Sequence, residues 1–201
     1  MVSLGAQLIK ADEIAHHLML PGKPVYENVV RQFGTEILNA DQSIHRAKLA
    51  EIVFGGAKGR PSRVHELNEI VHPAVLQAQE EWMENAGRND PHAIVVVEAA
   101  LILEAHAEHQ FDRLMVVTCR LEQRVPRLAS RLGVSLEAAR HELERRMASQ
   151  LSDEEKIKAA DYVVDNSGPL EETRKRVTEL FSELQRQAHR QDNARSTQTK
   201  K

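Results

Sequence analysis

Short apolar runs alternate with long amphipathic stretches along this chain, and the alternation predicts an α/β fold with a parallel sheet. Ala6 to Lys10 reads as a short first strand. Gly5 just before it has the character of a helix C′ residue, so Met1 to Leu4 is expected to be the last turn of a helix. Ile14 to Met19 is the next helix, closed by Pro21-Gly22. From Val25 to roughly Arg88 the pattern is helical, with Gly55 to Pro61 as a loop, and this long insertion suggests a separate lobe. Ile94 to Val97, Leu114 to Val117 and Tyr162 to Val164 are continuous apolar runs, the mark of strands buried on both faces. Ser152 with Glu155 makes a capping box, and Pro169 after Gly168 suits the first turn of a final helix. Leu170, Val177, Leu180, Phe181 and Leu184 give that helix one apolar face. From Gln187 to Lys201 the apolar residues stop and a disordered tail is expected.

Composition narrows the function classes. Aromatics are only 3% of the chain, so the core must be built from Leu, Ile, Val and Ala. A net charge of −3 provides no whole-protein basic footprint for nucleic acid. The single Cys119 excludes an internal disulfide framework; it reads as a small core residue, with a reactive thiol as the alternative. No apolar stretch approaches the roughly 18 residues that span a bilayer, and no signal-peptide pattern opens the chain. A cytoplasmic protein without membrane or nucleic-acid partners is expected. No apolar stripe marks a permanent interface, which suits a monomer or weak oligomer.

Several polar residues sit where chemistry is done in such folds. Asp12 lies where a strand hands over to a helix, and the C-terminal ends of parallel strands are where ligands bind. It is either a helix N-cap or a base for a hydroxyl that attacks a phosphoryl group. His72-Pro73 reads as a structural histidine or a ligand contact, with Pro73 opening a new helix. The strand Ile94 to Val97 ends in Glu98, a carboxylate expected to be buried and able to hold Mg²⁺ against nucleotide phosphates; Glu104 is a second candidate or a solvated helix residue. Arg127, Arg131, Arg140, Arg145, Arg146 and Lys156 crowd one segment. They suit a cationic lid or, with Glu137, Glu142 and Glu144 at i, i+3 and i+4 spacing, an ordinary charged helix. Asp165 to Gly168 closes the last strand, as an adenine contact or a plain turn. No G-x-x-x-x-G-K-[ST] phosphate loop occurs in the 201 residues.

The order of these segments resembles dephospho-CoA kinase. Leu4-Gly5-Ala6 through Ala11-Asp12-Glu13-Ile14-Ala15-His16 looks like the family's first strand-to-helix segment. Pro21-Gly22, Phe33-Gly34, Arg46 with Leu49 to Phe54, and Asn68 with Val71-His72-Pro73 follow in order. Val95 to Glu104 resembles the family's strand and acidic turn. Arg127, Arg131 and Arg146 to Gln150 look like its lid, and Ala160 to Asn166 like its final strand. Lys10, Ala100 and Pro126 depart from the pattern; Pro126 inside a helix predicts a kink.

The resemblance implies a P-loop kinase fold: a core of residues 1–24, 92–126 and 160–186, a helical CoA-binding lobe at about 25–91, and a lid at about 127–159. It implies ATP-dependent phosphorylation of the 3′-hydroxyl of dephospho-CoA, with ATP and dephospho-CoA as partners and Mg²⁺ as cofactor. It assigns Asp12, Arg131 and Arg146 to catalysis, His72 and Arg46 to the acceptor, Asn166 and Arg127 to ATP, and Glu98 to Mg²⁺ through water. It also implies a strand, the phosphate loop and most of a helix ahead of Met1, so that Met1 is read as an internal methionine. Loss of that strand would leave backbone groups unpaired, each costing on the order of 1–3 kcal/mol if buried, and the 201-residue chain alone is expected to be inactive. Two other readings stand beside this one: another small-metabolite P-loop kinase, and a non-catalytic remnant that binds CoA-like ligands or a partner.

Overall fold

The computed structural model describes residues 1–54 and 61–198, with side chains to 190. The expected Gly55 to Pro61 loop lies, apart from Pro61, outside the described residues. Two compact units divide at Ala99/Ala100, with Val2 joining the first and Met1 and Ser3 the second.

The first unit contains β1 (Gln7–Lys10), α1 (Ala11–Leu18), α2 (Pro24–Phe33), α3 (Arg46–Val53), α4 (Val64–Asn89) and β2 (Val95–Glu98). The two strands pair in parallel, Gln7 opposite Val95 and Lys10 opposite Glu98. Val2–Leu4 form a 3-10 turn that closes on Gly5, whose φ of 108° is a conformation L side chains avoid. The Gly5 N–H donates to the Val2 carbonyl at 2.9 Å, as expected for a helix end.

Apolar positions in α2 recur at Val25, Val29 and Phe33, one per helical turn, and all three are buried. They join Ile14, Ile37, Leu49, Val53, Val71 and Val75 in the core of this unit. Pro73 does not begin a helix, contrary to expectation: α4 runs straight through it. An internal proline costs about 3 kcal/mol, but Val71 and Val75 on either side of it are both buried in the core. Their burial, at about 1.5–3 kcal/mol per side chain, outweighs the lost hydrogen bond.

A polar clasp joins α2 to the start of α4. Arg63 Nη2 donates to Glu66 at 2.7 Å and Nε at 2.9 Å, Gln32 adds a bond to the same carboxylate, and the Arg63 guanidinium lies 4.6 Å from the Phe33 ring centroid. The hydrogen bonds from Arg63 and then Gln32 bring the Glu66 carboxyl down to about 2. A depressed carboxyl contributes stability that is present above its unfolded-state pKa and lost as pH falls through the folded one. Glu66 is therefore expected to stay ionised until about pH 2, with the clasp intact at pH 4. A carboxylate-detected NMR titration with a Glu66 midpoint near 4 would contradict this.

The second unit contains β3 (Met115–Thr118), α5 (Leu121–Leu132), α6 (Leu136–Ala148), α7 (Asp153–Ala159), β4 (Tyr162–Asp165) and α8 (Leu170–Gln198). β3 and β4 pair in parallel, Met115 opposite Tyr162 and Thr118 opposite Asp165. α5 continues through Pro126 and ends at Gly133, left-handed at φ 66°. Ser135 caps α6 through its hydroxyl, and Leu128, Ala129 and Ala139 hold the two helices together. The capping box of Ser152 and Glu155 opens α7 as the sequence predicts.

Several expectations change. The parallel strands, flanked by helices, form two two-stranded ladders, β1-β2 and β3-β4. Burial on both faces is not uniform along these strands: Val95 to Val97 are half-buried and Val117 is 62% exposed, while Val164 is buried. In α8, Leu180 and Phe181 are buried but Leu170 is exposed. The same helix extends to Gln198, into the segment expected to be a disordered tail.

Candidate active site

In the first unit, β1 delivers the chain directly into α1, and Asp12 is the second residue of that helix. The N-cap position belongs to Lys10, in extended backbone without a side-chain cap bond, so Asp12 is not the cap. Its carboxylate sits exposed in the first turn, where the helix dipole favours negative charge. Lys10 Nζ donates to Glu13 Oε1 at 2.8 Å.

His16 lies one turn after Asp12. Burial first, and then the Arg46 charge, lower its pKa; Asp12 and Glu13 oppose both. The charges of Asp12, on the same helix, and of Arg46, on α3, thus both act on His16. Arg46 is exposed at the first position of α3, whose N-cap His45 accepts from the Lys48 N–H through Nδ1 at 3.3 Å. His72 lies on α4, which packs against α1. Half-burial lowers its pKa, so at pH 7 it is a neutral imidazole with one donor and one acceptor.

Glu98 ends β2 opposite Lys10 in the ladder. It is exposed rather than buried, as the last residue of the strand. No cluster of three or more His, Cys, Asp or Glu suited to a metal ion occurs among the described residues. Glu98 offers a single carboxylate, which suits Mg²⁺ only when phosphate and water supply the remaining ligands.

In the second unit, Arg127 of α5 donates to the Asn166 carbonyl at 2.8 Å, and Asn166 Oδ1 accepts from the Thr173 hydroxyl at 3.2 Å. The Arg120 N–H reaches Ser167 Oγ at 3.0 Å and Gln123 Nε2 the Ser167 carbonyl at 2.9 Å. The start of α5 is thereby knitted to the turn after β4. Asp165 supports that turn: the Ser167 hydroxyl and N–H hold its carboxyl below the usual range.

Arg131 is exposed in the last turn of α5. Arg146 donates to Glu142 at 2.6 Å and Arg145 to the same carboxylate at 2.8 and 2.9 Å. These are the i, i+3 and i+4 pairs of a charged helix, so both guanidiniums would have to leave Glu142 to meet a phosphate.

Two functional candidates escaped the sequence reading. His16 could have been found from its i, i+4 spacing to Asp12. Arg124, only 19% exposed, grips Asp153 and the Cys119 carbonyl, and nothing in its neighbourhood in sequence sets it apart from the other arginines.

Comparison with known proteins identifies the family. A family model described as dephospho-CoA kinase matches residues 1–172. A dephospho-CoA kinase of Leifsonia xyli is 38% identical over 184 residues, 92% of this chain and 89% of the relative. One of Aquifex aeolicus is 38% identical over 91% of this chain and 87% of its own. A solved Thermus thermophilus structure superposes with TM-score 0.70 at 28% identity, covering 91% of this chain and 87% of that one. A dephospho-CoA kinase structure from Campylobacter jejuni gives 0.64 at 27% identity, over 92% and 88%. The chain belongs to the dephospho-CoA kinase family.

Proposed function

We propose that this chain supplies the acceptor site, the base and the lid of a cytoplasmic enzyme that phosphorylates the 3′-hydroxyl of dephospho-CoA from ATP, giving coenzyme A and ADP. The observation that carries the proposal is Asp12 in the first turn of α1 at the end of β1, one turn before His16, on which the Arg46 charge also acts.

The ribose 3′-oxygen attacks the γ-phosphorus of ATP and its proton passes to the Asp12 carboxylate. The bond from γ-phosphorus to the β,γ-bridging oxygen breaks, and its electron pair leaves with ADP. Arg46 and the neutral His72 hold the acceptor, the first as a cation for its phosphates and the second as a hydrogen-bonding partner. Arg127 and Asn166 serve the nucleotide. Arg131 and Arg146 of the lid neutralise charge developing on the transferred group, once Arg146 releases Glu142. Glu98 is the carboxylate that would hold a Mg²⁺ ion arriving with ATP, and the ion would screen the phosphate charge.

The phosphates also need a cradle of backbone N–H groups and a lysine, and the 201 residues contain no such motif. In a coupled ADP-release assay with ATP and dephospho-CoA, the 201-residue chain is expected to show essentially no turnover. A version joined to a strand and a G-x-x-x-x-G-K-[ST] loop is expected to turn over. Turnover by the chain alone would overturn the role given to the loop. A second reading is a non-catalytic protein that binds CoA-like ligands. An extended version that binds dephospho-CoA in calorimetry without converting it would support that reading instead.

A further inference from the structure

The turn between α6 and α7 is gripped from two sides by residues to which the proposed reaction assigns no task. Glu104, in the turn after β2, has a side chain only 17% exposed. Its Oε1 accepts from the Leu151 N–H at 2.8 Å and lies 3.2 Å from Lys156 Nζ. Its Oε2 is buried and meets no hydrogen-bond partner among the described residues. Lys156 of α7, 16% exposed, also donates to Gln150 Oε1 at 2.8 Å. From the other side Arg124 of α5 grips Asp153, the first residue of α7, while holding the Cys119 carbonyl. A cleft of about 300 Å³, lined by Arg124, Met147, Gln150, Leu151 and Asp153 among others, borders the turn beside Arg124.

Partly burying a carboxylate and an ammonium is unfavourable unless they satisfy each other. A turn that only had to reverse the chain would be served as well by solvated residues. Here a carboxylate 47 positions away in sequence takes hold of one backbone amide. That amide follows the carboxyl end of α6, the helix that carries Arg145 and Arg146.

We propose that Glu104 is a positioning residue for the lid arginines: by holding the Leu151 amide and Lys156 it fixes the end of α6 and with it Arg145 and Arg146. The assignment rests on the phosphoryl-transfer reading for its purpose, though not for the contact itself. It predicts that loss of Glu104 loosens the α6–α7 turn and the last turn of α6 while the β3-β4 ladder keeps its protection.

The test is amide hydrogen exchange, read residue by residue in the 201-residue chain, for the parent, Glu104→Ala and Glu104→Gln. A hydrogen bond to a charged group typically changes the opening equilibrium about 10–100-fold. Glu104→Ala is expected to accelerate exchange at Leu151 by that factor. A smaller acceleration at 146–150 and little change in β3, β4 and the buried part of α8 should accompany it. Glu104→Gln keeps an acceptor oxygen for the amide and is expected to restore most of the protection at Leu151.

An unchanged Leu151 amide in Glu104→Ala overturns the proposal. A uniform acceleration through the whole unit also overturns it, since Glu104 would then serve only overall stability. Glu104→Gln losing as much protection as Glu104→Ala removes the hydrogen bond as the means. The measurement needs neither ATP nor dephospho-CoA. A failure of the kinase reading therefore leaves the exchange result standing, and an unchanged amide leaves the kinase reading standing.

Discussion

Replacing Asp12 by Asn is expected to lower kcat for phosphoryl transfer about 10²–10⁴-fold, in a version of the chain that carries a phosphate loop, with the KM for dephospho-CoA little changed. Asn matches the carboxylate in size and keeps a polar group in the first turn of α1, but it does not accept the hydroxyl proton. The loss should therefore fall on the step in which that proton moves. The helix loses a favourable charge at its N-terminus, worth roughly 0.3–1 kcal/mol, which is too little to unfold a domain of ordinary stability. Steady-state kinetics with both substrates separates the two parameters. An unchanged kcat would assign the proton to another group, and His16, one turn along the same helix, is the first to test.

Ile37→Ala is expected to destabilise the first unit by about 2–5 kcal/mol, the usual range for an aliphatic core truncation to alanine. Ile37 is 0% exposed and belongs to the core cluster with Ile14, Leu49 and Val71. Each of those three lies within a few residues of a proposed site residue: Ile14 of Asp12, Leu49 of Arg46, and Val71 of His72. The cavity would open in the core that these three residues share with Ile37. Urea unfolding should show a lower midpoint with an unchanged slope, if the change lies in packing and not in the compactness of the unfolded chain. A loss of less than about 1 kcal/mol would mean that the surrounding helices close over the space.

What could be read from the sequence was whatever depends on neighbours in sequence. Gly5, the Ser152–Glu155 box and the ends of β1 and β4 are local events, set by backbone sterics, caps and short apolar runs. Pro73 was misread because a local rule met a tertiary force: burial of Val71 and Val75 carries the helix past a residue that would otherwise stop it. The exposure of Val117 and Glu98 was hidden because strand burial depends on what packs over each face, which an apolar run does not specify. The helix beyond Gln187 needs no apolar face of its own, since a helix already anchored by Leu180 and Phe181 propagates at little cost through Arg, Gln and Ala. At the site, Asp12 was marked by its place at a strand end. The grip of Arg124 on Asp153 spans 29 positions and that of Glu104 on Leu151 spans 47, and no local pattern announces either.

The two parallel ladders differ in how far the chain must travel to close them. Pairing β3 with β4 brings together Met115 and Tyr162, 47 positions apart, whereas pairing β1 with β2 joins Gln7 to Val95, 88 positions apart. Loop-closure entropy makes the longer search costlier by only about 0.6 kcal/mol, but long-range parallel pairing also slows folding. The second unit should therefore acquire its ladder first during refolding, and the strand that presents Asp12 should be among the last elements to settle.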